Sequence, residues 1–391
     1  MPDANIVAFN IAAFISTLFL LESGSDKFIA HTAIVARRTG TPETLIGLLT
    51  AGGEWEELAV VIASLARGRA SLAIGNVVGS AVSNILGAFS LGLLFRDANA
   101  PSRFDRSSRI YSLVLLGLTS LVAPIIYLPT TVAWIVAGSF LIAFFLLYIG
   151  SVAWAIRKGT LAAPEDSDGD DGSDDESSDV DSETGVAAER TFQPANGRDY
   201  GAGEAQGNRQ MCQAVPATSS TPLLPLGSSR RKHHSLKHHL FHLFLGFLAI
   251  CLAGYVLSHA ATNITDQFGV SDVFFGVVVL AIATTLPEKF VAVMSGQRGH
   301  AGILVANTAG SNIFLLTLCL GIVMLDTRGE LGHGNVNVVE LAVLWCSTVA
   351  FTATIWFGGR FCRLIGAVML IAYIAFVVLE FTVIHSVVSG H

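Results

Sequence analysis

Residues 48–95 read LLTAGGEWEELAVVIASLARGRASLAIGNVVGSAVSNILGAFSLGLLF, and residues 280–325 read LAIATTLPEKFVAVMSGQRGHAGILVANTAGSNIFLLTLCLGIVML. Laying Glu57 on Glu288 brings the two stretches into register without a gap. Asn76 then meets Asn307, each 19 residues beyond its glutamate, and Gly79-Ser80 meets Gly310-Ser311. Both copies run from an acid through an apolar helical stretch and a short basic turn. A small-residue segment then opens another apolar helix. A charge at membrane depth costs about 2.5–3.5 kcal/mol on the insertion scale, so an acid set twice inside apolar runs marks a functional site by default.

The surrounding composition is that of a membrane protein: 52% of the 391 residues are hydrophobic and only 14% charged. Several runs reach the ~20 residues that cross a hydrocarbon core. We read ten spans, roughly 5–36, 42–66, 70–95, 108–127 and 130–156, then 238–258, 272–296, 300–325, 338–357 and 362–387. Five spans per copy is an odd number, so the second copy enters the membrane from the opposite side. The predicted fold class is an all-α membrane protein whose ten transmembrane helices form two inverted five-helix repeats. Residues 1–158 make the first repeat, 159–236 a linker and 237–391 the second. The first run is longer than a perpendicular span needs and is expected to tilt. Its polar interruption, residues 22–27, is expected near a membrane surface or against another helix. Asp3 precedes that run and no basic n-region does, which predicts a first span and not a cleaved signal.

Lys and Arg set the orientation. Arg37-Arg38, Arg96 to Arg109, Arg157-Lys158, Arg230 to Lys237, Arg298, Arg360 and Arg363 fall on one side, against Arg67, Arg69 and Arg328 on the other. The richer side is expected to be cytosolic, placing the 159–236 loop there and both termini on the far side. Which membrane this is, plasma membrane or organelle, the residues do not say. The five cysteines match no zinc or redox spacing and read as small packing residues. No nucleophile–base pair or zinc signature is present, so neither an enzyme nor a cofactor is expected, and no nucleic-acid partner.

Both apolar halves resemble the two α-repeats of the calcium/cation antiporter superfamily, the sodium/calcium exchanger membrane-region family. The residues that carry this are Ala283-Thr284-Thr285-Leu286-Pro287-Glu288 and Asn307-Thr308-Ala309-Gly310-Ser311-Asn312 in the second copy. In the first they are Gly52 and Glu57, Gly75-Asn76-Val77-Val78-Gly79-Ser80 and Asn84, with Gly24-Ser25-Asp26 and the 36–40 exit upstream. The resemblance implies a secondary active antiporter that moves calcium against sodium or protons by alternating access, with the first and sixth spans sliding across the bundle. The implied cation ligands are Glu57, Glu288, Glu54, Ser80, Asn84, Thr284, Thr285 and Ser311. Calcium takes about six to eight oxygens from carboxylates and carbonyls. Pro287 lacks the N–H that would occupy a helical carbonyl, and Gly52-Gly53 can loosen the equivalent turn. The bland alternative for each hydroxyl is back-bonding to its own helix.

The chain also departs from the family pattern. Where the family has T-S-x-P-E, the first copy has Gly53-Glu54-Trp55-Glu56-Glu57. Glu54 and Glu57 share a helix face and Glu56 points elsewhere, to a surface or a partner helix. Leu315 stands opposite Asn84, and Ala81 opposite Asn312. A divalent cation is still expected to bind, with the sodium sub-sites altered. Proton coupling is an economical replacement, because neighbouring carboxylates readily share protons. Two other readings stand beside this one. One is exchange of magnesium or manganese against protons. The other is a non-transporting membrane protein whose loop recruits partners.

The linker opens with PEDSDGDDGSDDESSDVDSE, which cannot bury a core. Asp166, Asp168 and Asp170 mimic a calcium loop, but Asp171 and Ser177 stand where glycine and a bidentate glutamate belong. Its basic end, residues 230–239, suits anionic lipid headgroups or serves as a topology-setting flank. The lipid bilayer and inorganic cations are the other expected partners.

Overall fold

The computed structural model describes residues 4–38, 54–96, 104–127, 130–157, 236–331 and 335–384. Among them every regular element is helical. In the first half α1 covers Ala4–Arg38, α2 Trp55–Ala66, α3 Ala70–Leu94, α4 Arg106–Tyr127 and α5 Thr131–Arg157. In the second half α6 covers Leu236–Phe268, α7 Asp272–Thr284, α8 Leu286–Gln297 and α9 Ala301–Thr327. The last two are α10, Val338–Phe357, and α11, Cys362–Leu379. The helices on either side of the linker build one compact unit, and residues 158–235 lie outside the described residues.

Among the described residues, 8 helices are long and apolar enough to cross a membrane, and the pair α7–α8, bent by 48° at Thr285, makes up to 9. α2, with 12 residues, stands at the remaining expected span. The start of that span and Gly52-Gly53 lie outside the described residues, as do the acidic linker and most of the 230–239 stretch.

The two halves repeat one another in detail. The α2–α3 turn closes at Gly68 (φ +71) and the α8–α9 turn at Gly299 (φ +73), left-handed conformations that a β-carbon disfavours. Arg69 N donates to Ser64 O and His300 N to Ser295 O, both at 2.9 Å, which closes the last turn of each preceding helix the same way. A π-helical turn interrupts α3 at Ser83–Phe89 and α9 at Leu315–Cys319, nearly the same register. α5 packs on α9 as α11 packs on α3, while α1 pairs with α6 and α4 with α10.

Burial follows the membrane rule: polar groups inside, apolar side chains on the lipid face. In α3 89% of the apolar window is buried, against 22% in α1, so α3 is central and α1 peripheral. Phe9, Phe140, Leu147, Phe241 and Phe357 are exposed on the outside. Cys319 and Cys362 are buried, as expected of packing residues, whereas Cys251 and Cys346 are exposed. Cys212 lies outside the described residues.

Candidate cation site

The site begins with a close helix crossing. A β-carbon on Gly79 would fall 2.4 Å from Val277 O, and one on Gly276 would fall 2.7 Å from Leu72 O. Only glycine permits α3 and α7 to approach this near, as small residues do at membrane helix interfaces. The approach sets Asn76 and Ser80 of α3 against the end of α7.

Glu57 lies at the centre and is buried. Its Oε1 accepts from Ser80 Oγ at 2.8 Å and from Thr284 Oγ1 at 2.5 Å. Asn76 Nδ2 donates to its Oε2. Leu280 O, the back-bond acceptor, lies 2.9 Å from the same Oγ1, so the single hydroxyl proton has two acceptors within reach. Buried Glu54 accepts from Asn84 Nδ2 at 3.1 Å, and Ser311 of α9 sets its hydroxyl against the same carboxylate. Glu288 belongs to α8, and Glu54, Glu56 and Glu57 are near enough for their charges to act on it. Glu56 accepts from Ser25 of α1 at 2.8 Å. The polar interruption of α1 therefore meets another helix.

Four buried oxygens here have no hydrogen-bond partner: Glu54 Oε2, Asn76 Oδ1, Asn84 Oδ1 and Glu288 Oε2. All four are acceptors, and an unmatched buried acceptor carries a desolvation cost of about 1–3 kcal/mol. A hard cation would satisfy several at once. Among the described residues no three His, Cys, Asp or Glu side chains form a metal-holding group. Such a cation would therefore be held by mixed carboxylate, amide and hydroxyl oxygens.

Thr285 stands apart from this set. Its Oγ1 donates to Ala281 O at 2.5 Å and lies 2.8 Å from Ser83 Oγ. Lys289 reaches the same place, a residue that sequence reasoning passed over. A second unforeseen pair is Glu340 and Glu380, both buried and near enough for their charges to act on one another. Among histidines, His31 Nδ1 is 3.1 Å from His239 Nδ1, joining the ends of α1 and α6.

Two inverted helical repeats, with a broken span and an oxygen-lined crossing between them, define a secondary-transporter fold. The comparisons with known proteins name the group. The chain belongs to the sodium/calcium exchanger protein family, whose profile matches residues 9–156 and 238–382. It is thus a multi-pass integral membrane protein of a transporter family, not of a catalytic one.

Among relatives, the putative antiporter CaxA of Alkalimonas amylolytica is 23% identical over 93% of this chain and 96% of its own length. The inner membrane protein YrbG of Escherichia coli is 24% identical over 82% of this chain and 81% of its own. Among solved structures, native YfkE superposes with a TM-score of 0.59 at 15% identity, over 96% of this chain and 92% of that one. The sodium-calcium exchanger NCX_Mj gives a TM-score of 0.53 at 19% identity, over 96% and 99%. At such identities the likeness concerns the fold alone.

Proposed function

We propose that this protein is a secondary active antiporter that moves calcium across a membrane in exchange for sodium or protons. The observation that carries the reading is the set of partnerless buried oxygens on Glu54, Asn76, Asn84 and Glu288, in the cluster where Asn76 meets Glu57, Asn84 meets Glu54, and both acids act on Glu288. Both repeats contribute to it, so a cation held there contacts both halves of the bundle. Glu57 and Glu288 supply the principal charge; Ser80, Asn84, Thr284 and Ser311 supply neutral oxygens, and Glu54 an additional carboxylate. Thr285 keeps its place in the assignment only through its neighbour Thr284.

Alternating access would move α1 and α6 as a pair. Gly24 and Gly246 let these helices touch closely: a β-carbon on Gly246 would meet Phe28 N at 2.8 Å. Both are buried over less than a third of their apolar windows, so a sliding motion breaks few interior contacts. In this reading the Arg67–Arg69 turn and both termini face away from the cytosol, and the 159–236 loop faces it.

The test is calcium isotope flux in reconstituted vesicles, with sodium and proton gradients imposed separately. Calcium uptake driven by at least one gradient is expected. E57Q and E288Q should each lower it by about a hundredfold or more while inserting normally, since each keeps an oxygen but removes a negative charge that would pair with the cation. Wild-type flux in both variants would overturn the site. Uptake of magnesium or manganese with indifference to calcium would overturn the cargo, and no flux under either gradient would overturn transport.

A further inference from the structure

Beside the acidic crossing, Ser83 of α3, Thr285 at the break between α7 and α8, and Tyr373 of α11 meet around one lysine. Lys289 of α8 projects its ammonium among them. Nζ donates to Ser83 Oγ at 2.9 Å, to Thr285 Oγ1 at 2.5 Å and to Thr285 O at 3.1 Å. An ammonium has three donors, and all three are used. The hydroxyl protons around it close consistently. Tyr373 donates to Ser83 Oγ at 2.9 Å, Ser83 can donate to Thr285 Oγ1 at 2.8 Å, and Thr285 donates to Ala281 O at 2.5 Å. Ser83 and Thr285 keep lone pairs free for the lysine. Gly87 leaves the room, since a β-carbon there would sit 3.3 Å from Lys289 Cε and 3.4 Å from Tyr373 Cε1.

The repeat register shows how specific this is. Opposite Lys289, Thr285 and Ser83 stand Leu58, Glu54 and Phe314. The second half has gained a lysine where the first has leucine, and the first has gained a carboxylate where the second has threonine. Glu54, Glu57 and Glu288 are the carboxylates that act on Lys289. An ammonium beside this cluster offsets one of its negative charges.

We propose that the Lys289 ammonium is a tethered monovalent cation that takes, among the oxygens of Ser83 and Thr285, the place of a free metal ion, and offsets negative charge at the neighbouring site. This rests on the proposed cation site, but its first test does not need transport. In equilibrium binding of radioactive sodium to the purified full chain, K289A should gain one saturable site per chain that wild type lacks, and methylammonium should displace sodium from it. K289M, which fills the same volume without charge, should gain none.

In vesicles without sodium, K289A should carry calcium at least about tenfold more slowly than wild type, because the nearby carboxylates lose the positive charge that acts on them and the oxygens of Ser83 and Thr285 lose their donor. Methylammonium should restore K289A and leave K289M unchanged. Wild-type flux in K289A without added cation, or lost flux that neither sodium nor methylammonium restores, would overturn the proposal. So would a displaceable methylammonium site in wild type, a measurement that stands even where the variants fail to fold. If wild type moves no calcium under any gradient while K289A still gains its sodium site, the transport reading falls and the lysine assignment stands.

Discussion

Gly79 controls the site through an absent side chain. Its virtual β-carbon lies 2.4 Å from Val277 O and 2.5 Å from Val277 Cα, backbone atoms that cannot swing aside. G79A must therefore push α3 off α7, and forced overpacking costs about 1–3 kcal/mol. The shift also carries Ser80 and Asn76 away from Thr284. G79A should lower both the thermal midpoint in detergent and the affinity for calcium. G117A, whose β-carbon meets nothing within 4 Å, should hold or raise the midpoint. Equal melting of the two variants would contradict the close crossing.

At this scale the sequence spoke unevenly. Glu57 and Ser80 were legible because the repeat places each acid at one spacing from its small-residue segment, whereas Thr284, opposite Gly53, came only from the resemblance to the family motif. Lys289 was overlooked because, directly after Pro287-Glu288, it reads as a helix flank. Its helical spacing from Thr285, inside an apolar run, was the available signal. Ser83 and Tyr373 are 290 residues apart, and nothing local links them.

Between elements, one arginine ties three helix ends together. Arg69, in the α2–α3 turn, pairs with Asp266 near the end of α6 at 2.7 Å and with Asp272 at the start of α7 at 3.1 Å. The Asp272 side chain is 3% exposed and that of Asp266 55%. Losing the partner of the buried acid leaves an uncompensated charge, and losing the exposed one changes little. R69Q should therefore destabilise by about 1–3 kcal/mol. D266N should cost under ~1 kcal/mol. Thermal melts of the two single variants and the double check this; equal losses would place the coupling at Asp266 instead.

Most spans were readable from apolar run length, with bounds that agree within a few residues. The expected 238–258 run, however, stops short of α6, which continues to Phe268, and the start of the 42–66 run lies outside the described residues. The expected 272–296 run is the bent pair Asp272–Thr284 and Leu286–Gln297. Pro287 announced a freed carbonyl there. The 48° angle depends on what packs around it, which no local residue encodes. The π-helical turns at Ser83–Phe89 and Leu315–Cys319 had no sequence signal either, since they answer to the crossing of α3 and α9 with their neighbours.

For the whole molecule the governing relation is inversion. Passing from the α2–α3 turn to the α8–α9 turn, the chain crosses with α3, α4, α5, α6 and then the broken α7–α8 span. Five crossings are odd, so turns of the same shape open on opposite faces of the membrane. Ala66 and Gln297 occupy equivalent places at these turns and both are exposed. In a cysteine-free background, A66C and Q297C should react with a membrane-impermeant maleimide from opposite sides of sealed vesicles of uniform orientation. The positive-side rule further assigns Gln297 to the cytosolic face, beside Arg298, and Ala66 to the other. Labelling of both from one side would mean that the halves are parallel. Glu57 and Glu288 would then approach the midplane from the same direction, and a cation between them could not be offered to each face in turn by exchanging the roles of the repeats.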